Sequence, residues 1–184
     1  EKKQPDSVAT AKKLVEARTH RKNRVRESAG YTRDSDPYLT YPDESQKWKG
    51  MVHCHGRGKS VHLDFRCQMN SEFATGWTLF IPKGLSKTPE SFAEFKQLVD
   101  AEIIPLAVDT MSNPLKKFNC GKKAPEPIEW LTYSGMVQPG QIGATKNEPG
   151  FFYIIDSFEV QFGAQKSYFH EYFCNGKIFK GRLV

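Results

Sequence analysis

The sequence predicts a mainly β fold, an antiparallel β-barrel that carries one inserted amphipathic helix and a basic N-terminal helix or arm. Strict alternation of apolar and polar residues from Val61 to Met69 is the pattern of a strand. Similar short segments recur along the chain, and turn residues separate them about every ten positions. Many short strands with few helices are typical of an antiparallel sheet that curls into a barrel.

The positive charge of the chain is concentrated near its N-terminus. The 184 residues include 27 Lys and Arg against 21 Asp and Glu, a net charge of +6. Residues 1–28 hold nine of the basic and four of the acidic residues, so residues 29–184 are nearly neutral. We therefore divide the chain into a basic helix or arm, 1–28, and a barrel domain, 29–184. The arm suits a nucleic-acid backbone, although a solvated charge run has the same composition.

Cysteine spacing and hydropathy bear on the compartment. The four cysteines lie far apart without a Cys-x-x-Cys pair, which argues against a zinc knuckle and a disulfide framework. No apolar stretch approaches the roughly 20 residues of a membrane span, and no apolar signal region follows the N-terminus. We expect an intracellular, cytoplasmic protein without a membrane partner, nucleoid-associated if the host is prokaryotic. Because the sequence begins at Glu1, we expect a piece of a longer chain.

Three strands and a helix are expected in the first half of the barrel domain. Strands at 50–55 and 77–82 flank the alternating segment. A helix is expected at about 88–104, because Thr88 is a suitable N-cap and Pro89 fits a first turn. Pro105 is expected to end it. Apolar residues at helical spacing would pack this helix on the sheet: Phe92, Phe95, Leu98, Val99 and Ile103.

The chain is expected to return to strands from Tyr133 onward. Pro149-Gly150 is a turn signal ahead of the apolar run 151–156. Two further alternating segments, 158–162 and 169–173, complete the predicted barrel. His170, in the last of them, is expected to be a packed or edge residue rather than a metal ligand.

The alternating strand places three polar side chains in one row. His62, Asp64 and Arg66 share a face, about 7 Å apart at i and i+2. His55 precedes them across a glycine-containing loop that lets the chain fold back. Two imidazoles and one carboxylate suit a divalent manganese, zinc or iron ion, and Arg66 offers a fork to phosphate oxygens. The same alternation also fits an ordinary solvated strand face.

This segment resembles the signature of the 3'-phosphoesterase domain of bacterial DNA ligase D. His62-Leu63-Asp64-Phe65-Arg66 matches the family's His-x-Asp-Phe-Arg, and His55 falls on its leading histidine if the loop has one extra residue. Three later blocks are similar to further family motifs, in the same order along the chain: 76–84 (GWTLFIPKG), 133–144 (YSGMVQPGQIGA) and 175–182 (NGKIFKGR).

The resemblance implies a compact β-barrel with its site in a polar bowl. It implies Mn²⁺ as the cofactor, with Zn²⁺ or another transition metal as alternatives, held by His55, His62 and Asp64 as a Lewis acid. Arg66 and Lys83 would neutralise the phosphate oxygens. The implied activity is the removal of 3'-ribonucleosides and 3'-phosphates from DNA or RNA ends during repair, leaving a 3'-hydroxyl. The implied partners are primer-template or nicked DNA, and a ligase or polymerase module in the parent chain.

The sequence departs from the family at three positions. Glu126-Pro127 stands in place of a His-Pro pair, Trp130 in place of a tyrosine, and Phe118 in place of an arginine. An ionised Glu126 would repel phosphate unless it binds the metal or stays protonated. Glu126 also fits a solvated loop carboxylate between two prolines.

The resemblance gives further candidates for substrate binding in addition to Arg66 and Lys83. Glu126 and Trp130 occupy family site positions, and Arg33-Asp34 is similar to an Arg-Asp pair ahead of the family's leading histidine, with different spacing. Two alternative functions also stay open. One is a nucleic-acid-binding or scaffolding module that keeps the barrel without turnover. The other is a metallo-phosphoesterase for another phosphate ester, with Glu126 as a fourth metal ligand.

Overall fold

The described part of the chain comprises residues 46–113, 115–117, 119–166 and 169–184 of a computed structural model. The predicted basic arm, 1–28, lies outside these residues. So do Arg33, Asp34 and Phe118. Predictions for those positions stay predictions.

In the described part of the chain, nine antiparallel strands form one curled sheet. This half-barrel confirms the prediction of a mainly β fold. The hydrogen-bonded order is β4-β3-β2-β1-β7-β8-β9, with β5 paired to β3 and β6 paired to β7. Within the described residues this path ends at β4 and β9 without joining them. The strands are β1 (Lys47–Arg57), β2 (Ser60–Gln68), β3 (Phe73–Leu79), β4 (Cys120–Lys122), β5 (Glu126–Pro127), β6 (Gly135–Val137), β7 (Gly150–Lys166), β8 (Phe169–Asn175) and β9 (Lys180–Leu183).

The β1–β2 hairpin is tighter than the predicted loop. Arg57 pairs with Ser60, so only Gly58 and Lys59 form the turn. Gly58 has φ 57°, a left-handed conformation that favours glycine in a two-residue hairpin turn. This register places His55 directly opposite His62.

The two faces of the sheet bury different kinds of residue. One face carries the apolar alternation, and its residues join a large core with Phe151 and Phe158. The opposite face carries His55, Asp64 and Arg66, which are buried as well. The expectation of a solvated strand face is therefore wrong at Asp64, whose exposed fraction is 0%.

One continuous helix of 21 residues, α1, covers the apolar face. It consists of an α-helical segment (Phe92–Leu98), a π-helical segment (Val99–Ile103) and a second α-helical segment (Ile104–Ser112). Phe95, Val99 and Ile103 are fully buried, which confirms the predicted packing stripe. The Phe95 ring stacks on Phe151 at a centroid distance of 5.1 Å.

Both predicted ends of α1 are wrong. The N-cap is Ser91 rather than Thr88, because the Ser91 hydroxyl accepts the backbone N–H of Glu94. Pro105 does not end the helix. Because proline has no N–H, the regular hydrogen-bond series is interrupted there, and the π-helical turn directly before Pro105 lets the helix continue.

The C-terminal strands β8 and β9 pair with each other, with Asn175 opposite Lys180. The turn between them is held by the Asp156 carboxylate, which accepts the backbone N–H groups of Lys177, Ile178 and Phe179. In the predicted strand β8, His170 packs its ring edge-on against Trp77 and hydrogen-bonds Gln165. This agrees with a packed residue.

All four cysteines are free thiols, three of them buried and Cys120 exposed. Among the described residues, no helix is long and apolar enough to cross a membrane.

Candidate metal centre

Two neighbouring strands bring His55, His62 and Asp64 together. His55 on β1 lies opposite His62 on β2, and Asp64 follows His62 on the same face. His55 Nδ1 is 3.0 Å from His62 Nε2 and 3.7 Å from an Asp64 carboxylate oxygen, Oδ2. His62 Nε2 is 3.5 Å from the other oxygen, Oδ1. One possible ligand atom from each of the three residues lies within 4.8 Å of the others, and the group could hold a metal ion.

His55 is fixed in the tautomer that a metal requires. Its Nε2 lies 2.6 Å from the Gly143 carbonyl oxygen, so Nε2 carries the proton and donates it there. Nδ1 then carries no proton, accepts a hydrogen bond from His62 Nε2 at 3.0 Å, and has the lone pair that an ion would use. The ring is also stacked on Phe152 at a centroid distance of 4.1 Å. A histidine whose second nitrogen donates to a carbonyl is the usual arrangement of a metal ligand.

Burial keeps His55 neutral. It lowers the pKa of His55 to about 3, although the nearby Asp64 charge acts in the opposite direction. The imidazole is therefore unprotonated at neutral pH and available as a ligand.

The separations among the three ligand atoms fit a common ion. Metal–ligand distances of about 2.0 to 2.2 Å place neighbouring ligand atoms about 2.8 to 3.6 Å apart for angles between a right angle and the tetrahedral value. The measured 3.0 and 3.5 Å lie in this range, and 3.7 Å lies just outside it. Two imidazoles and one carboxylate match a divalent transition ion and leave coordination positions for other ligands. The residues therefore fit a divalent metal ion.

Asp64 also has three partners beyond the histidines. Its carboxylate accepts hydrogen bonds from Thr78 Oγ1 at 3.1 Å, Lys123 Nζ at 2.9 Å and an Arg66 terminal nitrogen, Nη2, at 3.3 Å. Burial alone would raise its pKa, but the His62 hydrogen bond and the charges of Arg66 and Lys123 hold the pKa well below its usual range. Asp64 is thus an ionised carboxylate with no exposed surface.

Arg66 links Asp64 to Glu126. Its second terminal nitrogen, Nη1, donates to a Glu126 carboxylate oxygen, Oε2. Lys123 Nζ lies 4.0 Å from the other Glu126 oxygen. Strand pairing brings Glu126 close to Arg66, because β5 pairs with β3 and Glu126 lies opposite Ala74. Glu126 therefore contacts two cations. It is neither a solvated loop carboxylate nor placed as a fourth metal ligand, the two roles considered from the sequence.

Trp130 supports Arg66 from the other side. The Arg66 guanidinium carbon lies 5.4 Å from the Trp130 ring centroid, within cation–π range. Trp130 is 2% exposed and packs with Tyr133 and Phe152 in a small aromatic cluster. This position makes Trp130 a packing partner of the guanidinium.

Three buried polar atoms of this region have no hydrogen-bond partner within the described residues. They are His53 Nδ1, Arg66 Nε and Trp130 Nε1. The other His53 nitrogen, Nε2, lies 2.6 Å from the Tyr133 carbonyl oxygen and donates to it. An unsatisfied buried polar atom costs about 1 to 3 kcal/mol, so a group of three is unusual for ordinary packing. Buried polar atoms of this kind are ordinarily satisfied by ordered water or a bound group.

The remaining predicted residues lie elsewhere or outside the description. Lys83 is half exposed and forms an ion pair with Glu102 of α1 at 3.5 Å. This ion pair directs the Lys83 ammonium to α1 and not to the His55, His62 and Asp64 group. The substrate-binding role of Lys83 stays a prediction. Arg33 and Asp34 lie outside the described residues.

Sequence reasoning missed Lys123, Thr78 and Gly143 as parts of the site. Thr78 was recognisable in principle, because its position on β3 lies opposite Asp64. Lys123 precedes Glu126 by three residues, and this charged pair was the one local pattern that pointed to Lys123. Its contact with Asp64 spans 59 residues and depends on the β3–β4 pairing. Gly143 acts through its backbone carbonyl, which no residue pattern reveals.

No protein-family model and no curated protein matches this chain. The likeness to ligase D phosphoesterases therefore rests on the sequence motifs alone.

Gly143→Ala is expected to weaken metal binding by about 10- to 100-fold, the usual effect of losing a ligand's supporting hydrogen bond. Gly143 has φ 94°, and an added Cβ would overlap the Phe152 ring that stacks on His55. The loop carbonyl would then move away from His55. Isothermal titration with Mn²⁺ measures the effect.

Gly140→Ala is the matched control for Gly143→Ala. Gly140 has φ 81° in the same loop, but an added Cβ there meets nothing within 4 Å. It carries similar backbone strain without the overlap at Phe152. Equal losses of Mn²⁺ affinity in the two variants would contradict a specific role for the Gly143 carbonyl.

Proposed function

We propose that the chain is a metal-dependent phosphoesterase that processes nucleic-acid 3' ends, removing 3'-phosphates and 3'-ribonucleosides to leave a 3'-hydroxyl. One observation carries the proposal: the metal-ligand group His55, His62 and Asp64 directly adjoins two buried or half-buried cations, Arg66 and Lys123. A metal site bordered by fixed positive charge suits a phosphate ester.

The charges of the cluster support an anionic substrate. Asp64 and Glu126 balance Arg66 and Lys123, while burial keeps His55 neutral. A divalent ion bound beside them would add two positive charges in a region shielded from water. Such an excess is stabilised by a bound anion, and a terminal phosphate carries about two negative charges at neutral pH.

The chain's own residues have distinct parts in this proposal. His55 and His62 would hold the ion, and Asp64 would share its carboxylate between the ion and the two cations. Arg66, fixed on the Trp130 ring, would orient phosphate oxygens through its planar fork. When bound, the ion supplies Lewis-acid polarisation of a phosphoryl oxygen. The proposed cofactor is Mn²⁺, with Zn²⁺ as the alternative.

The partner proposed for the site is a DNA or RNA 3' end in a primer-template or nicked duplex. The motif resemblance supports this choice of ester, and the basic composition of residues 1–28 supports a nucleic-acid partner. A ligase or polymerase module in the parent chain and an intracellular location belong to the same proposal.

The test is incubation of the protein with labelled primer-templates that end in a 3'-phosphate or a 3'-ribonucleotide, with and without Mn²⁺. Conversion to a 3'-hydroxyl that needs both Mn²⁺ and His62 is the expected result, with His62→Ala as the inactive variant. Binding of the duplex without conversion, in a metal-loaded protein, would instead favour a nucleic-acid-binding module. Conversion of small phosphate esters only would favour a different substrate.

A further inference from the structure

The Glu126 carboxylate occupies a position suited to an anionic ligand. It accepts a hydrogen bond from Arg66 and lies 4.0 Å from the Lys123 ammonium. The same two cations contact Asp64 on their inner side. Arg66 and Lys123 are therefore held between an inner and an outer carboxylate.

Exposure distinguishes the two carboxylates. The Asp64 side chain is 0% exposed, whereas the Glu126 side chain is 21% exposed. Lys123 is 17% exposed and Arg66 4% exposed. Because the Glu126 carboxylate lies on the outer side of the cations, it is the partner that an incoming anion can displace.

We propose that Arg66 and Lys123 form the phosphate-binding half of the site, and that Glu126 occupies the phosphate position when no substrate is bound. The inference assigns Lys123 as a substrate-binding residue and makes Glu126 an internal competitor of the substrate. The inference rests on the proposed function in one respect only, namely that the bound phosphate belongs to a nucleic-acid 3' end.

The chemistry of the partners supports this exchange. A guanidinium and an ammonium bind carboxylate and phosphate oxygens through the same charge-assisted hydrogen bonds. A phosphate that entered with Glu126 in place would bring like charges close together, which is unfavourable in a region shielded from water. Displacement of Glu126 gives the phosphate both cations and leaves Asp64 to hold them in place.

Titration of inorganic phosphate into the metal-free protein tests the inference without requiring turnover. Glu126→Gln is expected to bind phosphate at least about tenfold more tightly than the natural sequence, because the competing charge is gone while the side-chain size is kept. Glu126→Ala serves as a second variant, since it also removes any hydrogen bond that Arg66 would donate to the glutamine amide oxygen. Unchanged or weaker phosphate binding in both variants would overturn the inference.

Two controls separate a local effect from net charge. Glu72→Gln removes one exposed carboxylate outside the cluster and is expected to change phosphate affinity by less than about twofold. In Glu126→Gln, the added substitution Lys123→Met is expected to reverse the gain, because the phosphate loses one of its two cations. A gain that persists without the Lys123 ammonium would overturn the assignment of Lys123.

A separate Mn²⁺ titration excludes the other role for Glu126. Its contacts with Arg66 and Lys123 predict that Glu126→Gln lowers Mn²⁺ affinity much less than loss of a ligand such as His62 does. A loss as large as the roughly 100-fold expected for His62→Ala would make Glu126 a metal ligand and overturn the inference. Failure of the 3'-end assay would instead count against the proposed function, since neither titration depends on catalysis.

Discussion

Asp64→Asn is expected to lower the free energy of unfolding by about 3 to 5 kcal/mol, the usual cost of leaving buried charges without their partner. The Asp64 carboxylate is fully buried and accepts hydrogen bonds from Arg66 and Lys123. The asparagine keeps the size of the side chain but removes the charge that both cations face. Urea unfolding of the metal-free protein measures the change.

Glu159→Gln is the matched control for Asp64→Asn. Glu159 also forms an ion pair, with Lys47 at 3.2 Å, but both side chains are more than half exposed. Water already screens this pair, so its loss should cost at most about 1 kcal/mol. Similar losses in the two variants would contradict a buried charge cluster at Asp64.

The second large effect is a steep loss of stability in mild acid. Burial lowers the pKa of His55 to about 3, and burial together with the Arg66 charge lowers the pKa of His53 to about 3. Both histidines titrate near their ordinary pKa of about 6.5 in the unfolded chain. Between about pH 3 and 6.5 the unfolded state therefore binds more protons than the native state, so stability falls as the pH falls.

With two histidines involved, the free energy of unfolding is expected to decrease by about 2.7 kcal/mol per pH unit near pH 5. The low pKa of Asp64 adds to the loss at still lower pH, because its carboxylate must be protonated there. Urea unfolding at several pH values between 5.2 and 6, in the presence of a chelator, measures the slope where most carboxyl groups are already ionised. A slope below about 0.7 kcal/mol per pH unit would show that the two imidazoles are not buried in the neutral form.

The main features of the fold were predictable because each has a local pattern. Alternation from Val61 to Met69 predicted the strand and its apolar face, and helical spacing predicted the buried stripe of α1. The burial of Asp64 on the opposite face was not predictable from alternation. It results from partners that come from other segments of the chain, above all Lys123 and Thr78.

The ends of α1 show the limits of local signals. Thr88 and Ser91 are both suitable caps, and the structure uses Ser91, whose hydroxyl accepts the Glu94 N–H. Pro105 normally indicates a helix end, but a π-helical turn before it lets the chain continue to Ser112. The choice depends on the packing of the residues beyond the proline, which the sequence pattern does not show.

The candidate site was predictable where its residues share one hairpin. His62 and Asp64 lie two positions apart on one strand, and the hairpin register brings His55 opposite His62. Lys83 was expected to join them but pairs with Glu102, while Lys123 takes a place beside Asp64 that no motif indicated. Contacts between segments far apart in sequence thus determine the cationic half of the site.

The most direct test of the central claim is a Mn²⁺ titration of the metal-free protein, with His62→Ala and His170→Ala as a matched pair. The account predicts one Mn²⁺ per chain, an affinity at least about 100-fold lower in His62→Ala, and no change in His170→Ala, since His170 contacts Trp77 and Gln165 instead. Absence of Mn²⁺ and Zn²⁺ binding, or binding that survives His62→Ala undiminished, would contradict a metal centre at His55, His62 and Asp64.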